Sequence, residues 1–154
     1  MISLEHLISS GEWASIVFKD DWEENFYSFQ IRLKNFYKLD PESIDEPEDV
    51  DSVDLESNIW ILEADLVSLN KKKFDIDKLG SKIILVDEDG FEFNIVYDYH
   101  MCNGSEFAKK SGLSNFDSQS ISPKIKRSGA FAFELPDFFD GLNLSVENGQ
   151  VTNI

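Results

Sequence analysis

The chain has 154 residues, of which 42% are hydrophobic, and it carries a formal net charge of −16. This length fits one domain over residues 1–154, and this much apolar material excludes wholesale disorder. A negative field of this size disfavours nucleic acid and anionic membrane surfaces as partners, and it favours cationic proteins. The alternative is that the acidity only keeps the protein soluble.

The cysteine content and the N-terminus bear on the compartment. Cys102 is the single cysteine, so no disulfide can form within the chain, which is typical of a reducing compartment. The first residues, MISLEHLISSGEW, have neither the basic start nor the apolar run of a secretory signal. No stretch reaches the roughly 18 apolar residues of a membrane span. We therefore predict a cytoplasmic protein.

A short helix is predicted over residues 3–10. Ser3 is a candidate N-cap, and Leu4, Leu7 and Ile8 share one face. Gly11 is suited to end the helix, because glycine adopts the left-handed conformation without strain.

The clearest strand follows a β-prone run over residues 13–18 and a turn. Apolar and polar side chains alternate along it, which is typical of a strand with one face on a core. The inward set is Tyr27, Phe29, Ile31 and Leu33. The alternation slips at Asn35, which predicts a β-bulge there.

Residues 40–57 differ in kind from the rest. They contain nine carboxylates, two prolines and no basic residue. Self-repulsion and the prolines predict an extended, flexible loop inside the domain. Such a long connection is uncommon in a compact domain, so we interpret it as either a dispensable insertion or a docking element.

The second half of the chain predicts further strands with one apolar face. Their inward residues are Trp60, Leu62, Ala64 and Leu66 in one strand, Phe131, Phe133 and Leu135 in another, and Leu142, Leu144 and Val146 in the last. Ala130 and Ala132 are expected to point outward. Residues 82–86 and 91–97 are expected to pair as a hairpin, and Asn148-Gly149 to end the last strand before a frayed tail.

About seven strands without a long amphipathic helix predict an all-β fold. Short strands joined by turns favour an immunoglobulin-like antiparallel β-sandwich, here with a short N-terminal helix.

Residues 58–147 carry turn and core motifs in a familiar order. The motif residues are Leu85, Val86, Asp87, Gly90 and Phe93 in a hairpin, then Pro123, Gly129, Phe131, Phe133, Leu135 and Pro136 around a later strand. In this order they resemble the small immunoglobulin-like domain of unknown function of Gram-positive cell-envelope proteins, often mislabelled as telomeric-repeat-binding-factor-like. The resemblance implies the sandwich fold and an accessory, adhesion or ligand-capture role at the envelope.

Two groups of side chains could carry chemistry. Asp87, Glu88 and Asp89 share one turn and could hold Ca²⁺, but their spacing does not complete an EF-hand loop, so a solvated turn is the better interpretation. His100 and Cys102 could pair to form a thiolate, but no third group and no glycine-rich oxyanion turn accompanies them. We therefore predict no catalytic residue, no metal and no cofactor, and the chain is interpreted as a non-enzyme.

Trp22 lies among acidic residues in a turn. It could anchor a protein interface or fold back over one end of the sandwich. The predicted partner-binding residues are Trp22, Glu23, Glu24, Asp45, Glu46, Glu48, Asp49, Asp51 and Asp54. Two small basic clusters, Lys71 to Lys73 and Lys124, Lys126 and Arg127, are too few to outweigh the negative field, so nucleic-acid binding is disfavoured.

The leading hypothesis about function rests on how acidic and basic residues are distributed along the chain. Residues 1–60 have fifteen acidic residues against four basic ones, whereas the rest have fifteen against ten. A carboxylate-rich surface can mimic a phosphate backbone and close a cationic cleft. We therefore predict an acidic protein that neutralises a basic one, such as an immunity protein or inhibitor of a nuclease-type toxin. The alternatives are the cell-envelope module implied by the resemblance and a thiol enzyme using Cys102 and His100.

Overall fold

The computed structural model describes residues 1–22, 24–39, 58–75, 77–96 and 120–154. These residues form eleven strands and two short helices. The strands are β1 (Ile2–Ser3), β2 (Trp13–Lys19), β3 (Phe26–Lys38), β4 (Ile59–Ser68), β5 (Phe74–Asp75), β6 (Ile83–Val86), β7 (Glu92–Asn94), β8 (Ser120–Ile121), β9 (Arg127–Glu134), β10 (Asn143–Val146) and β11 (Gly149–Asn153). The helices are α1 (Leu4–Ser10) and α2 (Asp77–Gly80). Neither helix has the length and apolar character that crossing a membrane requires.

Two antiparallel sheets contain most of these strands. Five strands form one sheet in the order β11-β2-β3-β4-β9, four form the other in the order β1-β10-β6-β7, and β5 pairs with β8. The predicted fold class is confirmed: the protein is an all-β antiparallel sandwich with a short N-terminal helix. Two-residue strands such as β1, β5 and β8 raise the count above the seven expected, because so short a strand leaves no periodic pattern in the sequence.

The core contains apolar side chains from both sheets. Its largest fully buried members are phenylalanines of the five-stranded sheet, namely Phe18, Phe29, Phe131 and Phe133. Leu85 and Leu144 enter the same cluster from the four-stranded sheet. The inward residues predicted for β3, β4 and β9 all belong to this cluster or pack against it.

Helix α1 is capped as predicted. The Ser3 hydroxyl accepts a hydrogen bond from the backbone N–H of His6 at 3.3 Å. Gly11 ends the helix with a φ of 65°, and its N–H donates to the Leu7 carbonyl at 3.2 Å. Leu4 and Leu7 are buried in the core, so the helix closes one side of the sandwich with its apolar face.

The predicted β-bulge in β3 is confirmed. The register of β3 against β4 shifts between Leu33 and Asn35, which makes Lys34 the extra residue. Beyond the bulge Phe36 packs against the main core, and Tyr37 faces the other side of the sheet. The bulge therefore places Phe36 where it supports the site described below.

The outer face of the five-stranded sheet is more buried than the alternation of side chains predicts. Ala130 and Ala132 do lie opposite Phe131 and Phe133, but they are fully buried with Ile61 in a second apolar cluster. The expectation that the two alanines meet solvent is wrong. After β7 the chain crosses to the edge of β9, where the Val96 N–H donates to the Ala132 carbonyl at 2.8 Å. The alternation of side chains along one strand does not reveal that a segment distant in the chain buries the outer face of that strand.

The expected fraying of the C-terminal tail is also wrong. Residues Gly149–Asn153 form β11, which pairs with β2 along its whole length and buries Val151. Asn148 has a φ of 55°, the left-handed conformation that asparagine tolerates in turns. The Asn-Gly pair therefore connects β10 in the four-stranded sheet to β11 in the five-stranded sheet and does not release the chain.

Candidate functional site

The predicted binding residues at the β2–β3 turn are partly described. Trp22 is 93% exposed, so its ring does not fold back over the end of the sandwich. Its backbone N–H donates to Asp20 Oδ1 at 3.2 Å, and Glu24 has a left-handed φ of 50°. The remaining predicted residues, Glu23, Asp45, Glu46, Glu48, Asp49, Asp51 and Asp54, lie outside the described residues. This binding site stays a prediction.

The candidate chemical groups are described only in part. His100 and Cys102 lie outside the described residues. Asp87 is buried, and its Oδ1 accepts hydrogen bonds from the N–H groups of Asp89 at 3.0 Å and Phe91 at 2.9 Å. The Asp87 carboxylate thus closes the β6–β7 turn. Across residues 1–22, 24–39, 58–75, 77–96 and 120–154, no three His, Cys, Asp or Glu side chains are grouped to hold a metal.

A groove of about 630 Å³ opens at one end of the sandwich. We call it the aromatic groove, and its described walls contain no lysine and no arginine. The apolar lining residues are Trp60, Phe91, Phe93, Pro136, Phe138 and Phe139. The acidic lining residues are Asp87, Asp89, Asp137 and Asp140. Its volume lies within the roughly 300–1,000 Å³ that is typical of ligand pockets.

Backbone and side-chain hydrogen bonds fix the walls of the aromatic groove. The Asp87 turn presents Phe91 from one side. On the other side, the Asp140 carbonyl accepts from the N–H of Glu88 at 3.2 Å, which ties the segment after β9 to that turn. Asn58, just before β4, donates from Nδ2 to Asp137 Oδ1 at 2.5 Å. Three separate parts of the chain therefore converge on one groove.

Trp60 and Phe139 form the floor of the aromatic groove, and Phe36 packs against Trp60 behind it. The rings of Phe36 and Trp60 lie 4.9 Å apart, and those of Trp60 and Phe139 meet edge to face at 5.4 Å. Phe139 also borders a second groove of about 400 Å³ beside α1, lined by Ile8 and Leu142 among others. The floor is preformed, because these rings pack against the main core.

Two phenylalanines at the rim face solvent. Phe138 is 92% exposed and Phe91 is 65% exposed. Exposed aromatic rings among polar residues are typical of protein-binding surfaces. Because Asp89, Asp137 and Asp140 are exposed beside them, the surface suits a partner that is both apolar and positively charged.

The acidic loop starts and ends at this same end of the molecule. Residues 40–57 connect Leu39 to Asn58, and Asn58 bonds to Asp137 at the groove. Leu39 follows β3 directly, and its N–H donates to the Ile59 carbonyl at 2.8 Å. Trp22 lies beyond the other end of the thirteen-residue strand β3, which spans roughly 40 Å at about 3.3 Å per residue.

The two basic clusters meet at the end that carries Trp22. The Lys124 N–H donates to the Ser68 carbonyl at 2.8 Å, which brings the start of β9 beside the end of β4. Lys71, Lys72 and Lys73 follow Ser68 in the chain. Charge is therefore unevenly distributed: the groove lining is acidic, with the exposed Lys38 paired beside Trp60 in the strand register, and the Trp22 end carries both basic clusters.

A polar cluster lies on the outer face of the five-stranded sheet. Asp65 is fully buried there and contacts Arg32 at 2.6 Å, Lys34 at 3.0 Å and the Ser128 hydroxyl at 2.5 Å. Burial raises the pKa of Asp65, but the hydrogen bonds from Ser128, Arg32 and Lys34 outweigh it and lower the pKa to about 2. Arg32 also lies 4.9 Å from the centre of the Trp13 ring. This cluster is already satisfied, so it is structural.

A tyrosine–glutamate pair lies one register step further along the same face. Tyr37 donates its hydroxyl to Glu63 Oε1 at 3.0 Å, and Asn35 donates to the other oxygen at 2.8 Å. Burial raises the pKa of the Tyr37 hydroxyl, and the hydrogen bond and charge of Glu63 raise it further. The pair therefore holds a neutral tyrosine at physiological pH.

The aromatic groove was not predicted from the sequence. Its rim includes the run Pro136-Asp137-Phe138-Phe139-Asp140, which follows β9. Its composition carried a usable clue: two adjacent phenylalanines between aspartates, directly after a proline, cannot both face a core. What no pattern could show is that Trp60 and the Asp87 turn meet this run in space.

No family model matches the chain, and no curated protein matches it. Two solved structures are similar to it in the course of the backbone. One is a secreted protein from Mycobacterium tuberculosis, with a TM-score of 0.49 and 7% identity over 91% of this chain and 92% of that one. The other is a conserved hypothetical protein from Bacillus anthracis, with a TM-score of 0.46 and 15% identity over 93% of this chain and 97% of that one. The resemblance to the cell-envelope domain stays a prediction.

Proposed function

We propose that this chain is a non-enzymatic, cytoplasmic binding protein that neutralises a basic protein. A nuclease-type toxin is the partner class that fits, with this chain as its immunity protein or inhibitor. The sequence predicts a docking surface made of the acidic segment 40–57 with Trp22, Glu23 and Glu24. The proposal keeps that segment and replaces the three turn residues with the aromatic groove.

One observation carries the proposal. The aromatic groove, with four aspartates and no described basic residue in its lining, lies where the stems of the nine-carboxylate loop leave the sandwich. Carboxylates gathered at one end give a directed negative potential, which steers a cationic partner and raises its association rate. The exposed rings of Phe91 and Phe138 supply apolar contact area, which charge alone does not.

The mixed charge at the opposite end supports the same choice of surface. The carboxylate of Asp21 already pairs with Lys82 at 2.6 Å, and the basic clusters lie nearby. A cationic partner would meet repulsion there as well as attraction. Trp22 is exposed at that end, but its surroundings do not select for positive charge.

The test is binding to the protein encoded next to this chain, if that protein is basic. Calorimetry at about 0.05 M and about 0.5 M salt should show tight binding that weakens strongly as salt screens the charges. Co-expression should relieve any toxicity of that neighbour. A neighbour that is acidic, or binding that does not respond to salt, contradicts the proposal.

A further inference from the structure

We infer that the aromatic groove binds an arginine side chain presented by a basic segment of the partner protein. The inference rests on the proposed function and deepens it, because it names the group that the partner inserts and the residues that receive it. The receiving residues are Phe91 and Phe138 at the rim, Trp60 at the floor, and the carboxylates of Asp89 and Asp140.

The groove offers both halves of a guanidinium site. An arginine side chain is attracted to the face of an aromatic ring and donates paired hydrogen bonds to carboxylates. Phe138 and Phe91 are exposed, so their faces are available. In the part of the chain that the structure describes, no lysine or arginine pairs with Asp89, Asp137 or Asp140. Among the described residues, no internal cation neutralises these three carboxylates.

An arginine held between an aromatic ring and a carboxylate already occurs elsewhere in this protein. Arg32 lies 4.9 Å from the centre of the Trp13 ring, while its Nε and Nη2 atoms donate to Asp65 Oδ2 at 3.2 and 2.6 Å. An aromatic ring and a carboxylate thus hold one guanidinium between them on the outer face of the sheet. The groove presents the same two kinds of group, and its described lining contains no cation.

Arginine fits this groove better than lysine. The guanidinium is planar and weakly hydrated, so it stacks on rings and loses less on leaving water, whereas an ammonium group holds its water strongly. The apolar floor of Trp60 and Phe139 raises the cost of bringing a strongly hydrated group into contact. We therefore expect a preference for arginine and not merely for positive charge.

The test uses short peptides as probes, with the full chain. An acetylated and amidated peptide that alternates glycine with arginine is compared with its lysine analogue and its citrulline analogue, which keeps the shape and loses the charge. Backbone amide shifts, followed by NMR, locate the binding. We expect saturable shifts around Phe91, Phe138 and Asp137 for arginine, roughly threefold or more weaker binding for lysine, and none for citrulline.

Two exposed aromatic residues provide a matched pair of variants. Phe138 and Trp22 are 92% and 93% exposed, so replacing either with alanine should leave the fold intact. Phe138→Ala should weaken binding of the arginine peptide by roughly three- to tenfold, and Trp22→Ala should leave that affinity unchanged. The double variant that combines Asp89→Asn with Asp140→Asn should weaken binding of the peptide further.

Each outcome separates the inference from the function on which it rests. If the basic neighbour binds tightly but Phe138→Ala and Trp22→Ala behave alike, the arginine site is wrong and the proposed function stands. If arginine and lysine peptides bind equally, only the negative potential acts, and the inference is overturned. If the chain self-associates through the groove without peptide, the occupant is a second copy, which also overturns it.

Discussion

At the scale of single residues, Asp65 shows how a charge is tolerated inside this sheet. It lies on the outer face of β4, directly between Arg32 on β3 and Ser128 on β9 in the strand register. Arg32 and Lys34 form ion pairs with its carboxylate, and the Ser128 hydroxyl donates a hydrogen bond to it. The Asp65 side chain is fully buried. Removing one member of such a group leaves others unpaired in a place that water does not reach.

Asp65→Asn is therefore expected to destabilise the protein by about 2 kcal/mol, since it discards the charge that Arg32 and Lys34 neutralise. The measurement is the free energy of unfolding in urea at neutral pH. Glu134→Gln is the control, because Glu134 is an exposed carboxylate on β9 of the same sheet. Its effect should stay within about 0.5 kcal/mol. Equal effects for the two variants would contradict the structural role of Asp65.

The same residue predicts a pH dependence. The pKa of Asp65 is about 2 in the folded protein, below its ordinary value of 3.8. A lowered pKa means that the unfolded chain binds the proton first as pH falls. The stabilisation is thus complete above about pH 4 and is lost towards about pH 2. The stability difference between the wild type and Asp65→Asn should shrink over this window, and a difference that stays constant would rule out this explanation.

At the scale of elements, the pairing of β11 with β2 depends on one close approach. Gly149 lies against the backbone of β2 with no room for a side chain. A Cβ atom there would collide with the Val17 carbonyl oxygen and come within 2.7 Å of Phe18 Cα. These are backbone atoms of a paired strand, so they cannot turn aside.

Gly149→Ala should therefore lower the free energy of unfolding by about 2 kcal/mol or more, because β11 must shift away from β2. Gly80 is the matched control: its φ is not left-handed, and a Cβ there meets no atom within 4 Å. Gly80→Ala should be neutral or slightly stabilising. Thermal denaturation followed by circular dichroism compares the two, and equal midpoints would contradict the close packing of β11 on β2.

At the scale of the whole molecule, charge is distributed along the long axis of the sandwich. The aromatic groove and the stems of the acidic loop occupy one end, and the two basic clusters occupy the other. The net charge of −16 does not reveal this arrangement. It arises because antiparallel pairing places the end of β3, the start of β4 and the end of β9 together.

Replacing residues 41–56 with a short glycine-serine linker tests how much the loop contributes. The change removes eight carboxylates and no basic residue. Folding should survive, because Leu39 and Ile59 already bond across adjacent strands that a tight turn can join. Affinity for the arginine peptide should fall at low salt and converge with the wild type at high salt. Unchanged affinity at low salt would remove the loop from the binding surface.

Much of the fold could be read from local patterns. The caps of α1, the inward faces of β3, β4 and β9, the bulge near Asn35 and the β6–β7 hairpin each depend on residues a few positions apart. The two wrong predictions, on the exposure of the outer alanines and on the fraying of the C-terminal tail, share one cause. The burial of Ala130 and Ala132 depends on the chain after β7, and the pairing of β11 depends on β2, more than a hundred residues earlier.

The candidate site, like the fold, was predicted only in part from the sequence. The sequence by itself determined the acidity, the amount of apolar material and the alternation that makes a sandwich, because these follow from composition and from contacts along a single strand. Only the tertiary structure decided that Trp60, the Asp87 turn and Phe138 form one groove, and that Trp22 lies far from it. Segments that are distant in the chain meet only when the two sheets pack together. No periodic pattern in the sequence shows which strand ends then lie side by side.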